Sequence, residues 1–462
     1  MKLTIVGGGG FRVPQIVEAL SRRSPDELDV TEIALFDTSA ERAAVISEVL
    51  HQMPLDRKPT VSVNTSLTEA ISAADFVFSA IRVGGTEARV MDEMVPLEHD
   101  VLGQETVGPG GYAYALRTIP AALELAYAVQ EHAPEAWVVN FTNPAGIITQ
   151  AMRTVMGPRA IGICDTPIGL VRRAARALGR PESDLHYDYI GLNHLGWLRA
   201  VRQGGVDLLP QLLADDSMLD QIEEARIIGK DWVRQLGVLP NEYMFYYYRN
   251  REAVAQIRAE METRGQFLSR QQHGFYQAAT AKPESASALW NATHREREET
   301  YMAEAREVAD EGARNEEDLD GGYQEVALDL MAALSGGPEA RMILGVSNTE
   351  SGRAPLVPAL SADSVVEVPC HVTSAGPTPI TVSPLTGAEL GLVTQVKACE
   401  ELVIAAALEH DFGKAWQAIA LHPMVNSVQV ARQILQEYFD TIPGVRESLT
   451  PDLLSEDANR ES

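Results

Sequence analysis

The chain has 462 residues, of which 45% are hydrophobic and 22% are charged, a composition typical of a soluble globular protein. This apolar content excludes intrinsic disorder over most of the length. The formal net charge of −27 argues against nucleic acid and against an anionic membrane surface as partners, because both are bound by basic patches. An anionic small molecule stays compatible, since it needs only a local cationic pocket.

The number of cysteines and the N-terminal sequence indicate the cellular compartment. Three widely spaced cysteines do not form a disulfide framework. No apolar run reaches the length of a membrane span, and the opening MKLTIVGGGG lacks the layout of a signal peptide. We therefore expect a cytoplasmic protein with reduced thiols and no membrane partner.

Short apolar runs alternate with amphipathic stretches in the first third of the chain. Strands are predicted at 3–6, 33–36, 76–81, 137–141 and 160–164, and helices at 14–20, 41–53 and 112–132, the last with a kink at Pro120. Strands that alternate with helices predict a parallel sheet of the Rossmann type.

The pattern then changes to a mixed α/β one. Strands are predicted at 189–192, 198–201 and 365–372, and helices at 212–235, 251–276, 389–409 and 415–438. We predict a nucleotide-binding domain over 1–165, a mixed α/β domain over 166–445 and a polar tail over 446–462.

The first strand runs into the glycine loop Gly7, Gly8, Gly9 and Gly10, and a helix follows. Glycines at this point let backbone N–H groups approach a pyrophosphate. The G-x-G-x-x-G spacing is not met, so the loop alone is a weak signal. Asp37 ends the second strand, where a carboxylate would accept the ribose hydroxyls and favour NAD over NADP. The combination favours cofactor binding over a glycine-rich turn with a capping aspartate.

Cys164 and His194 each follow an apolar strand. A thiolate and an imidazole form a borderline-soft pair suited to a transition metal, although their spacing is not that of a zinc finger. From these residues alone, a buried thiol and a core histidine are the favoured interpretation.

Two asparagines, Asn140 and Asn143, lie at the end of the fourth strand. An amide there could bind a sugar or the nicotinamide ribose, or it could form an Asn-Pro turn. Arg89 is either a surface ion-pair partner or a clamp for an anion. Tyr243 begins an aromatic run that suits packing, and it could act as a base only beside a cation that lowers its pKa.

These motifs together resemble glycoside hydrolase family 4 over about residues 1–440. The segments that carry the resemblance are the GGGG loop, RVGG…R..DE, GQET.GPGG, NFTNPAG, GICD.PI, GLNHLGW, LPNEY, TRG and VEVPC. The loop departs from the family pattern GGGS..TP, since Gly10 and Val13 stand where the pattern has Ser and Thr. Two hydroxyl groups are lost, and Arg12 could compensate for them.

The resemblance implies a fold and a reaction. A Rossmann-like domain would precede a catalytic domain of the lactate/malate dehydrogenase C-terminal type. The enzyme would hydrolyse 6-phosphoglucosides, with β-glucosides favoured and α-glucosides as the other option. NAD would oxidise C3 transiently, a divalent metal, with Mn²⁺ expected, would assist elimination across C1 and C2, and water addition and re-reduction would follow. This route differs from the two-carboxylate mechanism.

The resemblance also assigns residues. Cys164 and His194 would hold the metal, and Tyr243 would remove the C2 proton. Asp165 would protonate the leaving oxygen or support the metal. The cofactor would contact residues Gly7 to Phe11, Asp37 and Asn140, and the phosphorylated glucoside would contact Arg89, Asn143 and Arg264.

Two alternatives stay open at this point. A simple NAD-dependent 2-hydroxy acid dehydrogenase would accumulate NADH, whereas a glycosidase of this kind would not. A non-catalytic NAD sensor would bind nucleotide without turnover. The resemblance further implies a homodimer or a homotetramer.

Overall fold

Thirteen strands form one sheet in the computed structural model, which describes residues 1–309, 322–350 and 353–450. Along the sheet the order is β10, β8, β7, β12, β11, β6, β5, β4, β1, β2, β3, with β9 paired to β8 and β13 to β12. In chain order the strands are β1 (Lys2–Val6), β2 (Glu32–Phe36), β3 (Thr60–Asn64), β4 (Phe76–Ser79), β5 (Trp137–Asn140), β6 (Ala160–Gly162), β7 (His186–Leu192), β8 (Leu195–Gln203), β9 (Val206–Asp207), β10 (Leu239–Pro240), β11 (Ala340–Ser347), β12 (Val365–Thr373) and β13 (Gly376–Pro379).

Helices connect and cover these strands. In chain order they are α1 (Val13–Arg22), α2 (Ala40–Gln52), α3 (Leu67–Ile71), α4 (Gly85–Glu98), α5 (Pro109–His132), α6 (Ala145–Met156), α7 (Thr166–Ala177), α8 (Leu209–Ala214), α9 (Asp216–Leu219), α10 (Glu223–Ile228), α11 (Lys230–Leu236), α12 (Met244–Tyr248), α13 (Asn250–Ala259), α14 (Arg264–Ala281), α15 (Ala286–Glu299), α16 (Ala303–Val308), α17 (Tyr323–Leu334), α18 (Gly387–Glu409), α19 (Phe412–Leu421), α20 (Val428–Thr441) and α21 (Pro443–Leu449). Across the described ranges, none of them combines the length and apolar character needed to cross a bilayer.

The first six strands are parallel and lie in the order β3, β2, β1, β4, β5, β6. This is the order of dinucleotide-binding folds, whose ligands bind where the order reverses, here between β1 and β4. All four residues of β4 are buried, as expected for a central parallel strand covered on both faces. The predicted α/β fold with a Rossmann-like parallel sheet is therefore confirmed.

The strands of the second half extend the same sheet. Strand β11 pairs antiparallel with β6 through Gly345 and Gly162, and β12, β7, β8 and β10 continue antiparallel from it. A single sheet thus runs across the domain boundary that we predict at residue 165. The boundary itself stays a prediction.

Several predicted helices differ from the observed ones. The stretch 212–235 forms separate short helices, because Asp215 caps α9 and Gly229, at φ +107°, separates α10 from α11. The stretch 251–276 is divided between α13 and α14, and α14 begins with a capping box at Thr263 and Gln266. Helix α5 continues through Pro120.

The start of the predicted polar tail is helical. Residues 446–449 belong to α21, which begins at Pro443 and buries Leu449. Residues 451–462 of that tail lie outside the described residues.

Candidate active site

A cleft of about 880 Å³ lies at the carboxyl ends of the parallel strands. Its walls include Gly7 after β1, Asp37 after β2 and Cys164 after β6. His194 and Tyr243 reach the same cleft from the antiparallel half. The volume is in the range of small-molecule and cofactor sites, and the position is the one expected for ligands of open α/β sheets.

The glycine loop occupies one end of this cleft. Gly7 has φ +91°, and a Cβ there would lie 2.5 Å from the carbonyl oxygen of Ala80, so only glycine fits. The Asp37 carboxylate accepts a hydrogen bond from the backbone N–H of Gly9 at 2.9 Å and from that of Ser39 at 2.9 Å. The predicted ribose acceptor therefore also holds the loop. A loop that only glycine can form, followed by the N-terminus of α1, fits a dinucleotide.

Not every predicted cofactor residue lines the cleft. Gly7, Gly10 and Phe11 do, whereas Gly8 and Gly9 face strand β2 and helix α2, where a Cβ would lie within 2.9 Å of neighbouring atoms. The ring of Phe11 is only 4% exposed and packs edge-on against Phe275. Gly8, Gly9 and the ring of Phe11 therefore shape the loop more than they face a ligand.

The structure does not bring Asn140 to the cleft. Its side chain is completely buried, its amide nitrogen donates to Thr149 Oγ1 at 3.0 Å, and its amide oxygen accepts from the backbone N–H of Thr142 at 3.1 Å. Asn140 thus stabilises the turn after β5. Asn143, three residues further along the chain, lines the cleft, and its side-chain oxygen accepts from the backbone N–H of Ala145 at 3.3 Å.

Cys164 lies directly beyond the end of β6 and is 6% exposed. Its Sγ is 3.4 Å from Thr166 Oγ1. Burial raises the pKa of the thiol well above its usual value, and the nearby carboxylates of Glu367 and Asp165 raise that pKa further. A cation bound beside Cys164 would offset both effects and favour the thiolate.

His194 lies in the tight turn between β7 and β8, at the left-handed φ of +63°. It is 5% exposed, and burial lowers the pKa of its imidazole to about 3, so the ring is neutral. The ring of Tyr243 stacks on it with 3.6 Å between centroids and 3° between planes. A neutral imidazole is the form that binds metals.

Cys164 and His194 therefore offer one buried thiol and one neutral imidazole at the same end of the cleft, beside Tyr243. This donor set fits a divalent transition metal. Within the ranges that the structure describes, no three or more Asp, Glu, His or Cys side chains lie together as ligands of one metal ion. The protein ligands would therefore be these two.

The phenol of Tyr243 belongs to a hydrogen-bonded chain. Its Oη lies 3.2 Å from Tyr301 Oη, and Tyr301 donates to Glu242 Oε1 at 2.7 Å. Burial raises the pKa of Tyr243 well above its usual value, and the carboxylate of Glu242 raises it further. A basic role for Tyr243 thus requires positive charge in the cleft, as the sequence already suggests.

Asp165 lies at the N-cap position of α7 and lines the cleft. One of its oxygens is 3.9 Å from Cys164 Sγ. Either predicted role, proton donor or support for the metal, is compatible with this position.

The two arginines predicted to bind substrate line the cleft but already have partners. Arg89 is 5% exposed and pairs with Glu93 at 3.0 Å and with Glu105 at 2.9 Å. Arg264 donates to Thr300 Oγ1 at 2.6 Å and to the carbonyl oxygen of Arg297 at 2.9 Å.

Two other arginines in the cleft escape the sequence prediction of substrate residues. Arg12 lies over the rings of Tyr323 and Phe141, at 5.0 and 5.4 Å, and Arg297 lies over Phe11 at 5.8 Å. Neither guanidinium forms a hydrogen bond or an ion pair with another residue of the described ranges. Burial lowers the pKa of Arg297, and the cations of Arg12 and Arg264 lower it further. The altered loop gives a signal for Arg12, whereas no motif marks Arg297.

A buried carboxylate also escapes prediction. Glu367, in the VEVPC segment on β12, accepts a hydrogen bond from Asn193 Nδ2 at 2.9 Å. Burial raises its pKa to about 8. When it is ionised, this carboxylate raises the pKa of the Cys164 thiol.

Comparison with known proteins identifies two matching segments. Residues 2–180 match the sequence profile described as "Family 4 glycosyl hydrolase". Residues 189–425 match the one described as "Family 4 glycosyl hydrolase C-terminal domain".

Named relatives and solved structures agree with these profiles. A "probable 6-phospho-beta-glucosidase" of Bacillus subtilis (strain 168) is 32% identical, over 95% of this chain and 96% of the relative. A 6-phospho-alpha-glucosidase of Leptotrichia buccalis is 30% identical, over 95% of this chain and 97% of the relative. The crystal structure of a 6-phospho-alpha-glucosidase from gut microorganisms, in complex with NAD and Mn²⁺, is 28% identical and has a TM-score of 0.76, covering 96% of this chain and 98% of the other.

Proposed function

Because the chain belongs to family 4 of the glycosyl hydrolases, we propose that it hydrolyses 6-phosphoglucosides and that it uses NAD and a divalent metal ion, with Mn²⁺ the expected ion. One observation carries the proposal: a single cleft joins the glycine loop and Asp37 to Cys164, His194 and Tyr243. We keep the β-anomer as the expected substrate and the α-anomer as the alternative; relatives with either specificity match the chain.

At the cofactor end, the loop residues Gly7 and Gly10 would let the pyrophosphate approach the N-terminus of α1. Asp37 would accept the ribose hydroxyls and would disfavour the extra phosphate of NADP. This arrangement would direct the nicotinamide toward Cys164 and His194, which line the same cleft.

At the reacting end, Cys164 Sγ and a ring nitrogen of His194 would hold the metal. Bound NAD supplies reversible hydride transfer at C3, and the divalent ion supplies Lewis acidity toward the sugar oxygens. Tyr243 would take the C2 proton on its phenol oxygen, which lies next to the metal-binding histidine. Asp165 would protonate the leaving oxygen, and its other possible role is support for the metal.

The substrate phosphate would be bound by arginines. Arg264 and Asn143 line the cleft, and Arg89 contributes charge although Glu93 and Glu105 pair with it. We add Arg12 and Arg297 to the predicted set, since neither forms an ion pair with a carboxylate among the described residues. In a chain of net charge −27, two such arginines in one cleft favour an anionic substrate.

The experiment is release of p-nitrophenol from four aryl substrates, the α- and β-glucosides with and without 6-phosphate. Each is tested with NAD⁺, Mn²⁺ and a thiol reductant, and again with one component left out. We expect turnover of one phosphorylated anomer only, lost without NAD⁺ or Mn²⁺ and without accumulation of NADH. Silence on all four substrates refutes the proposal, and accumulation of NADH from 2-hydroxy acids supports the dehydrogenase, which family membership disfavours.

The quaternary structure belongs to the same proposal. A homodimer or a homotetramer is expected, and sedimentation equilibrium of the purified protein tests it.

The division at residue 165 is tested by expressing residues 1–165 alone and measuring whether they bind NAD.

A further inference from the structure

The side chain of Gln104 has a defined orientation. Its Oε1 is 2.6 Å from the backbone nitrogen of Thr106 and 2.7 Å from that of Val107. A backbone N–H can only donate, so the atom that faces both of them must be the amide oxygen and not the amide nitrogen. Gln104 therefore presents an acceptor to its surroundings.

The hydroxyl of Thr106 is 3.0 Å from the same oxygen. Because that oxygen only accepts, Thr106 donates its one hydrogen to Gln104. The hydroxyl oxygen is then left with lone pairs alone for any other neighbour.

That other neighbour is His194 Nδ1, at 2.9 Å. With the hydroxyl hydrogen directed at Gln104, the imidazole is the donor, and Nδ1 carries the ring proton. The neutral ring has one proton, so Nε2 keeps its lone pair. With Nε2 protonated instead, two lone pairs would face each other across 2.9 Å, or Thr106 would have to leave Gln104.

We propose that Thr106, oriented by Gln104, is a positioning residue that holds His194 in the Nδ1–H tautomer and leaves Nε2 as its metal-binding nitrogen. The inference rests on the proposed function, which places a metal at Cys164 and His194. Hydrogen bonds of this kind orient metal-binding histidines and raise their basicity, and their loss typically weakens metal affinity 10- to 100-fold. The left-handed backbone of His194 and the stack on Tyr243 leave the ring little freedom to find another partner.

The first measurement uses the unaltered protein without metal. Nitrogen-15 spectra of histidine-labelled protein, with His194→Ala identifying the signal among the 10 histidines, report which ring nitrogen is protonated. We expect a protonated Nδ1 and an unprotonated Nε2. A protonated Nε2 overturns the proposal. The measurement itself is made on the unaltered protein, and His194→Ala serves only to assign the signal.

The second measurement is the affinity for Mn²⁺ alone, by titration calorimetry on the full chain. Thr106→Val removes the hydroxyl at nearly constant size, and Thr106→Ser keeps it. We expect 10- to 100-fold weaker binding for Thr106→Val and affinity within about threefold of wild type for Thr106→Ser. Thermal unfolding of both variants checks the fold.

The outcomes separate this inference from the proposed function. If Thr106→Val binds Mn²⁺ like wild type while His194→Ala does not bind it, the metal site stands and the role of Thr106 is refuted. If His194→Ala binds Mn²⁺ like wild type, the metal site of the proposed function fails, and this inference fails with it.

Discussion

Replacing Arg297 by Met removes a cleft guanidinium with little consequence for the fold. Met keeps an apolar stem that can pack on Phe11, whose ring centroid lies 5.8 Å from the guanidinium carbon. The hydrogen bond from Arg264 reaches the main-chain oxygen of Arg297, which the substitution retains. Within the described ranges no carboxylate forms an ion pair with Arg297, so none is left unpaired. We expect a change in stability within about 0.5 kcal/mol.

The effect on phosphate binding should be much larger. A hydrogen bond to a charged group contributes about 1.5–3 kcal/mol, which corresponds to about a 10- to 150-fold change in affinity. Arg12 and Arg264 lie close enough to Arg297 to lower its pKa, so the three cations could act on one anion. We therefore expect KM for the 6-phosphoglucoside to rise by that factor, with kcat little changed, since ground and transition states carry the same phosphate.

The assay compares KM for the aryl glucoside with and without 6-phosphate. Arg295→Met is the matched control, because Arg295 lies on the same helix α15 and is exposed. Arg297→Met should raise KM for the phosphorylated substrate alone. Arg295→Met should leave KM for both substrates unchanged. Equal KM values for the two variants would show that Arg297 does not bind the phosphate, and an equal change for both substrates would indicate a role in cofactor binding instead.

Three further changes test other parts of the site. Tyr243→Phe should lower kcat by about 100-fold or more and abolish deuterium incorporation at C2 in heavy water, with NAD affinity retained; exchange at the wild-type rate contradicts a basic role. Asp37→Asn should reduce the preference for NAD over NADP, measured by calorimetry; an unchanged ratio means that Asp37 serves only the loop. For Glu105, the cations of Arg82 and Arg89 outweigh burial and lower its pKa to about 2. The ionised carboxylate therefore contributes about 3 kcal/mol to the free energy of unfolding. This contribution is complete above pH 4.5 and is lost as the pH falls toward 2. Glu105→Gln should be less stable in urea unfolding at pH 7, with a gap to wild type that narrows below pH 4.5; a constant gap refutes the assignment.

The parallel half of the sheet follows from the sequence because its central strands are continuous apolar runs. Strands β1, β2, β4, β5 and β6 all overlap predicted runs, and their order with the helices predicts the topology. Strand β3 is absent from the predicted strands, because Thr60–Asn64 has only two apolar residues and lies at the edge of the sheet. Strand β11 also escaped prediction, although six of its eight residues are buried. An apolar run of that length is also compatible with a buried helix segment.

The candidate site could be predicted only in its parts. Each of Cys164, His194 and Tyr243 follows or ends a recognisable segment, but their proximity depends on pairing between distant strands. Arg297 comes from a helix whose charged sequence reads as solvent-exposed, and only the packing of α15 on the glycine loop turns it toward the cleft. Thr106 required atomic distances, because its role depends on the direction of one hydroxyl hydrogen.

The position of the site follows from the place where the sheet changes from parallel to antiparallel. Strand β6 is the last parallel strand, and Cys164 follows it; β7 and β8, which carry His194 in their turn, belong to the antiparallel half. The two halves meet at Gly162 and Gly345, where a Cβ on Gly345 would lie 3.3 Å from the Cα of Gly162. A Cβ on Gly162 would also lie 2.7 Å from Thr149 Oγ1, so a side chain there would force the strands or helix α6 apart. The glycine pair thus keeps the end of β6 close to the antiparallel strands, and this closeness lets one cleft combine a nucleotide loop with a thiol–imidazole pair.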